Sequence, residues 1–216
     1  LTLSDGLIVT LQLLAISTAA GLAIACVVAF GRLSRARLLR WPATVYAGAL
    51  RGTPLLVQIY IVYYGLAQFA VIRHSPFWPI LRHAWPCALI AFSLNMGAYA
   101  SEVVRGAIQA VPAGEREAAV ALGLRRFQTF RLVVMPRALR LGLPALVNEV
   151  LVQVKATSLA STVTILDLTG VARRMTAASF TTTPLVEAGI IYAALALLIG
   201  LGAHLLERGL ALPGER

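Results

Sequence analysis

Long stretches without a single charge set the first limit on this chain. From Leu7 to Phe30 there are 24 consecutive uncharged residues, most of them apolar. A helix needs about 20 such residues to cross the hydrocarbon core of a bilayer. Pro54 to Ile72 and Ala84 to Ser101 are also free of charge. A fourth run, about residues 141–154, is interrupted by Glu149, and a fifth, about 185–206, carries Glu187 near its start. The first run is too long for the apolar part of a signal peptide, and no small-residue cleavage site follows it. The spacing predicts an all-α membrane protein with about five transmembrane helices, in one domain over residues 1–216. Composition agrees. Hydrophobic residues make up 59% of the chain and charged residues 13%, too little polar surface to coat a soluble globule of this size.

The charge that remains is lopsided. The net charge is +10, which by itself would suit a nucleic-acid partner. Its placement argues against one, because the arginines sit in short segments between apolar runs. Cytoplasmic loops of membrane proteins carry that bias. With the N-terminus outside, the inner side holds Arg32, Arg35, Arg37, Arg40 and Arg51. The central loop adds Arg105, Arg116, Arg125, Arg126, Arg131, Arg137 and Arg140, and the tail adds Arg208 and Arg216. The outer side holds only Arg73, Arg82, Arg173 and Arg174. The expected placement is multi-pass in a bacterial inner membrane, N-terminus out and C-terminus in the cytoplasm.

The chain shows no chemistry of its own. A nucleotide-binding P-loop needs a lysine after a glycine-rich loop. The only lysine, Lys155, follows Leu151-Val152-Gln153-Val154. His74, His83 and His204 are scattered and form no metal-ligand pair. Cys26 and Cys87 lie in apolar runs as small hydrophobes. We therefore expect no catalytic site, no metal and no cofactor in this chain, and an energy source in a partner. Gly21, Gly189, Gly200 and Gly202 are expected to let helices pack closely.

Polar groups inside apolar runs mark pathways or helix-to-helix ties, because lipid gives them no partner. Asn95 and Glu102 are seven residues apart and share one helical face, with Tyr99 between them. Glu149, Lys155, Thr157 and Ser158 cluster near the fourth run. Carboxylates among them suit an amino group, and Lys155 suits a carboxylate. Glu102 is also placed to pair with Arg105 one turn on, and Glu149 with Lys155 or a neighbouring arginine.

The central loop, about residues 111–136, holds the most specific pattern. Pro112 and Gly114 break the preceding helix. Glu115 to Leu122 are good helix formers, and Gly123 ends the helix they form. A second, basic helix is expected from Arg125 to Val134. Glu117-Ala118-Ala119, then Gly123, then Val133, Met135 and Pro136 follow a fixed spacing. That spacing resembles the EAA loop in permease subunits of binding-protein-dependent type I ABC importers. Arg51-Gly52-Thr53-Pro54-Leu55-Leu56-Val57-Gln58, the segment Asn95 to Gly106, and Pro144, Asn148-Glu149, Lys155 to Ser161 and Asp167-Leu168 resemble the polar amino-acid branch, nearest the histidine and octopine systems. The resemblance implies that Glu117, Ala118, Ala119, Gly123 and Pro136 serve coupling to an ATP-binding cassette ATPase dimer, which binds ATP and Mg. It implies a second, similar permease subunit, more a heterodimer than a homodimer, and a periplasmic amino-acid-binding protein. Substrate would pass by alternating access. In basic-amino-acid members carboxylates match Glu149 and Ala156, so the resemblance implies a pocket role for Glu149, and this chain departs from the pattern at Ala156. The alternative, an ion-gradient-driven secondary transporter or channel subunit, predicts an inverted repeat, and none is visible.

Overall fold

The computed structural model describes residues 2–210, the last four of them as backbone. Among these, every regular element is helical. The α-helices are α1 (Leu3–Leu33), α2 (Arg37–Arg51), α3 (Leu55–Tyr60), α4 (Ala70–Arg73), α5 (Trp78–Leu81) and α6 (Ala84–Ala110). They continue as α7 (Ala113–Ala121), α8 (Arg126–Thr129), α9 (Met135–Ala156), α10 (Leu168–Ser179) and α11 (Thr183–Leu210). Wider π-turns occupy Ile61–Gly65 and Phe130–Val134, and tighter 3₁₀ turns occupy Leu66–Gln68 and Thr157–Val163. Arg216 and the side chain of Arg208, both counted toward the inner side, lie outside the described residues.

Three helices, α1, α6 and α11, are long and apolar enough to cross a membrane. The second span starts earlier than its charge-free run. Helix α2 and the stretch Leu55–Gln68 qualify only together, and the 106° bend between them is that of a broken span or a re-entrant loop. The bend has a local cause. Pro54 offers no N–H to the preceding turn, and it pushes Thr53 out of the helical region. The arginines of α2 hid its helical run from a search for uncharged residues. Helix α9 likewise begins at Met135, ahead of the run at 141, and takes in Arg137 and Arg140. Its 22 residues span about 33 Å. The expected basic helix at 125–134 is not separate. One turn of α8 passes through the π-turn straight into α9.

The core lies between α1 and α6, which pack along their length. Leu13, Ile59, Ala88, Ala91, Phe92, Ala160 and Val163 form the main buried cluster. Small residues let the two helices meet. A Cβ on Gly21 would lie 2.6 Å from Met96 Cγ, and one on Gly97 would lie 2.6 Å from Ile24 Cγ2. Gly189, Gly200 and Gly202 make no such close contact among the described residues, where nothing beyond their own helix's nearby backbone lies within 4 Å of a Cβ at any of them. Gly97→Val is therefore expected to cost about 3 kcal/mol by overpacking, while Gly189→Val leaves the fold unchanged. Thermal melting of the two variants in detergent checks this. Equal melting points would remove the α1–α6 contact as the basis of the fold.

At the end of α1 where the chain begins, α10 is fastened by a buried carboxylate. Asp167 is fully buried and caps α10 by accepting from the Thr169 and Gly170 N–H groups, at 3.2 and 3.0 Å. Tyr192 Oη on α11 donates to it at 3.1 Å. The Leu168 N–H donates to Thr10 Oγ1 on α1 at 3.0 Å. Three helices thus meet on one turn. Burial pushes the Asp167 carboxyl up to about 6, and the donated hydrogen bonds only partly oppose that. The folded value exceeds the unfolded one, so the native state binds the extra proton. Stability from this group is fully present near pH 4 and is lost as pH rises through about 6, a change on the order of 3 kcal/mol. Asp167→Asn keeps a capping side chain and removes the titration. Wild type is expected to melt higher at pH 5 than at pH 7.5, with the difference reduced in the variant; equal pH profiles would refute the assignment.

Candidate functional site

Two breaks in the helices face each other. One is the α2–α3 bend at Gly52–Pro54. The other is where α9 gives way to the 3₁₀ turns after Ala156. Non-helical backbone at membrane depth is tolerated where it lines a cavity. A cavity of about 540 Å³ lies there, lined by Thr53, Pro54 and Leu55 from the first break and Lys155, Ala156, Ser158 and Leu159 from the second. Asn95, Met96 and Tyr99 of α6 and Glu149, Val152 and Gln153 of α9 complete the wall. Its size falls within the range of about 300–1,000 Å³ typical of small-molecule sites.

The cavity gathers five of the residues singled out from the sequence: Asn95, Tyr99, Glu149, Lys155 and Ser158. Two others lie elsewhere. Thr157 is fully buried and donates to the Val154 carbonyl at 2.6 Å. Glu102 sits about one turn beyond Tyr99 on α6 and is bound by arginines. Arg32 of α1 and Arg105 both hydrogen-bond it, and Arg51 of α2 lies 3.4 Å away. The Arg51 guanidinium also lies over the Tyr99 ring, 5.6 Å from its centroid. Glu102 thus ties α1, α2 and α6 together beyond the cavity. Within the cavity neither charge is locked in an ion pair, although Arg51 acts on Glu149 electrostatically. Neither the Glu149 carboxylate nor the Lys155 ammonium has an ion pair or hydrogen bond with another described residue. The expected pairing of Glu149 with Lys155 does not form, because six residues along α9 place them on different sides of the helix.

The central loop forms a compact corner at the other end of α1 and α6. Helix α7 is nine residues long. It closes with Gly123 in the left-handed region, φ +78°. The Leu124 N–H donates to the Ala119 carbonyl at 3.1 Å and the Gly123 N–H to that of Val120 at 2.9 Å, the paired bonds of a glycine-terminated helix. Ala119 is buried within this chain. Glu117, Ala118 and Pro136 are exposed, as are Val120 (64%), Leu122 (82%) and Phe127 (71%). The corner is stiffly joined to the spans. Arg116 donates to the Ile108 carbonyl of α6, and Arg137 of α9 lies 3.4 Å from Glu115.

Residues 18–212 match the family model described as the binding-protein-dependent transport system inner membrane component. The chain belongs to that family. The permease is 47% identical over 206 residues to the octopine transport system permease protein OccM of Rhizobium radiobacter, covering 95% of this chain and 84% of that protein. It is 39% identical to the L-cystine transport system permease protein TcyB of Bacillus subtilis, over 96% of this chain and 86% of that one. Against the histidine/lysine/arginine/ornithine transport system permease protein HisM of Escherichia coli K12 it is 38% identical, covering 81% and 74%. Among solved structures, an amino acid ABC transporter with histidines superposes with TM-score 0.86 at 31% identity, covering 95% of this chain and 92% of that one. The MetNI methionine transporter shares the fold alone, with TM-score 0.81 at 17% identity, covering 97% and 96%. The permease is thus the membrane component of an ABC importer of the amino-acid and opine group, and ATP is hydrolysed by a separate subunit. It works with a binding protein and an ATPase in an inner membrane.

Sequence reading missed what holds the first break of the permease in place. Gln58 is buried. Its amide donates to the Leu50 carbonyl at 2.8 Å and to the Thr53 carbonyl at 3.0 Å, and so spans the bend. Asn95 Nδ2 donates to Gln58 Oε1 at 3.1 Å. Gln153, also buried, donates to Ser17 Oγ of α1 at 3.0 Å. An amide inside an apolar run was the signal available for both.

Proposed function

We propose that the permease moves a polar amino acid or an opine through the cavity between its two helix breaks. The observation that carries this is the pair of free opposite charges, Glu149 and Lys155, on one cavity of amino-acid size. A carboxylate and an ammonium in one hydrated cavity suit a zwitterion. The cavity lacks a second carboxylate, since Ala156 stands in its wall, and this favours a zwitterionic or doubly carboxylated substrate over a purely cationic one. The named relatives carry octopine, cystine, or histidine and basic amino acids, all of which have such groups.

The N-terminus faces out and the C-terminus faces the cytoplasm, following the arginine bias. The ATPase dimer docks on the exposed face of α7 around Glu117, Ala118 and Val120, next to Gly123. Pro136 opens α9 beside that corner. A second, different permease chain closes the pathway, and the binding protein delivers substrate from outside. ATP-driven closure of the ATPase dimer moves α7, and α6 and α9 follow through Arg116 and Arg137, so that access alternates.

Copurification of the tagged chain from its native membrane tests this. A stoichiometric P-loop ATPase, lost when Ala118 is replaced by arginine, is the expected result. A chain that purifies alone and moves labelled arginine, histidine or cystine in vesicles without ATP would overturn the reading in favour of a gradient-driven carrier.

A further inference from the structure

A second cavity of the permease shares no residue with the one between the helix breaks. It is a groove of about 240 Å³ between α1 and α9, backed by α6. Its wall carries no charge and no hydroxyl or amide side chain. Helix α1 supplies Leu22, Cys26 and Phe30, one turn apart, and α9 supplies Met135, Leu139, Gly142 and Leu146 at the same helical spacing. Cys26, Phe30 and Leu139 are exposed, so the groove opens outward. Small residues keep it open. A Cβ on Gly142 would lie 2.9 Å from the Ala107 Cβ, so α6 and α9 close together behind the groove, and Cys26 leaves its α1 side thin.

The groove has the depth of one leaflet. Its mouth is at the α7 corner, where Phe30 stacks edge-on against Phe130, ring centroids 5.8 Å apart. At its inner end Leu22 and Leu146 pack on the same buried cluster, Ala25, Met96 and Ala100. Leu22 to Phe30 and Met135 to Leu146 cover about 12 and 16 Å of helix. Half of a hydrocarbon core is about 15 Å. Spread over that length, the volume leaves a section of about 15 Å². One hydrocarbon chain enters such a slot, whereas a helix with its side chains, about 10 Å across, does not.

The mouth is basic. Arg131 stands four residues before Met135, so it continues the α9 stripe by one turn. It is exposed and makes no ion pair or hydrogen bond with another described residue. Arg116 holds the carbonyl of Ile108, a residue of the groove wall, and its Nε is buried without a hydrogen-bond partner. The corner as a whole sets Glu115 and Glu117 against Arg116, Arg125, Arg126, Arg131, Arg137 and Arg140. We propose that the groove holds one acyl chain of an anionic phospholipid from the leaflet on the α7 side, with the phosphate of that lipid at Arg131, beside Arg116. Basic pockets between spans are suited to anionic headgroups, and each arginine near the surface strengthens their binding about fivefold. A zwitterionic lipid fits the same slot but gains less at its mouth. The site is independent of which side of the membrane α7 faces.

The test uses the complete complex, both permeases with the ATPase, stripped of lipid in detergent. It is titrated with dioleoyl phosphatidylglycerol or dioleoyl phosphatidylcholine, and bound lipid is counted by native mass spectrometry. Wild type is expected to hold phosphatidylglycerol about tenfold more tightly than phosphatidylcholine. Arg131→Gln removes an exposed charge that supports no contact in the fold, and it is expected to shrink that preference about fivefold. Cys26→Trp fills the groove from an exposed position and is expected to leave one lipid fewer per copy of this chain. Leu198→Trp, at an exposed position of α11, is expected to change neither count nor preference. Equal affinity of wild type for the two lipids overturns the inference, as does a preference that Arg131→Gln leaves intact or a lipid count that Cys26→Trp leaves intact. If Cys26→Trp blocks assembly with the second permease while Leu198→Trp assembles, the groove belongs to that chain and the inference also fails. The proposed function stands in each of these cases.

Discussion

Gly123→Asp is expected to abolish ATP-driven uptake while leaving the permease inserted and folded. Nothing lies within 4 Å of a Cβ at this position, so the substitution meets no steric clash in the chain. Its cost is conformational. At φ +78° a side-chain residue is strained by about 1–2 kcal/mol, and the two hydrogen bonds that end α7 depend on that turn. The new carboxylate also stands beside Val120 and Leu122, which are exposed and apolar. A charge buried without a partner at an interface is strongly unfavourable. Since about 1.4 kcal/mol is a tenfold change in affinity, the combined effect should exceed tenfold in ATPase docking. Gly123→Asn separates the two causes. Asparagine tolerates the left-handed region and brings no charge, so it should keep much of the uptake. Normal uptake by the aspartate variant, measured in vesicles with insertion confirmed by protease mapping, would end the coupling role of this corner.

The fold was legible where charge and apolarity separate cleanly, and poorly so where they mix. Helices α1, α6 and α11 stand out because lipid-facing or buried residues fill every turn. Helix α2 did not, because an amphipathic helix can bury Ala47 and anchor Tyr46 Oη on the Leu94 carbonyl at 2.7 Å while showing arginines on its other side. The bend at Pro54 was visible as a proline and glycine pair, but its consequence was not. Whether a break lines a cavity depends on Asn95 and Gln58, 37 positions apart, meeting across helices. The site was partly legible for the same reason. Helical periodicity placed Asn95 and Tyr99 together correctly, since both lie on α6. It also put Glu102 with them; Glu102 makes the pairing with Arg105 that the spacing allowed, and Arg32 and Arg51 from α1 and α2 join it outside the cavity wall. Ala119 shows a similar limit. The EAA spacing marks it, but only the packing of α7 on its own chain shows that it faces inward.

Neutralising either free charge of the cavity is expected to raise the KM for uptake about ten- to hundredfold. Hydrogen bonds to charged groups contribute about 1.5–3 kcal/mol, and neither Glu149 nor Lys155 makes a side-chain hydrogen bond or ion pair with another described residue. Under the proposed function they meet different ends of a zwitterion, so their losses should differ in kind. Lys155→Gln should weaken recognition of the substrate's carboxylate, so that an amino acid and its carboxamide compete for uptake almost equally. Glu149→Gln should instead keep the preference for the free acid and lose discrimination against a substrate whose amino group is acetylated. The two substitutions keep size and polarity, so neither empties the cavity. Uptake of labelled arginine, histidine and cystine in vesicles, with these analogues as competitors, measures both effects. Should both variants keep the wild-type KM and the wild-type ranking of competitors, the substrate does not pass between the α2–α3 bend and the end of α9. The free charges would then serve the second permease chain, where the same two substitutions would weaken assembly and leave the KM of whatever complex forms unchanged.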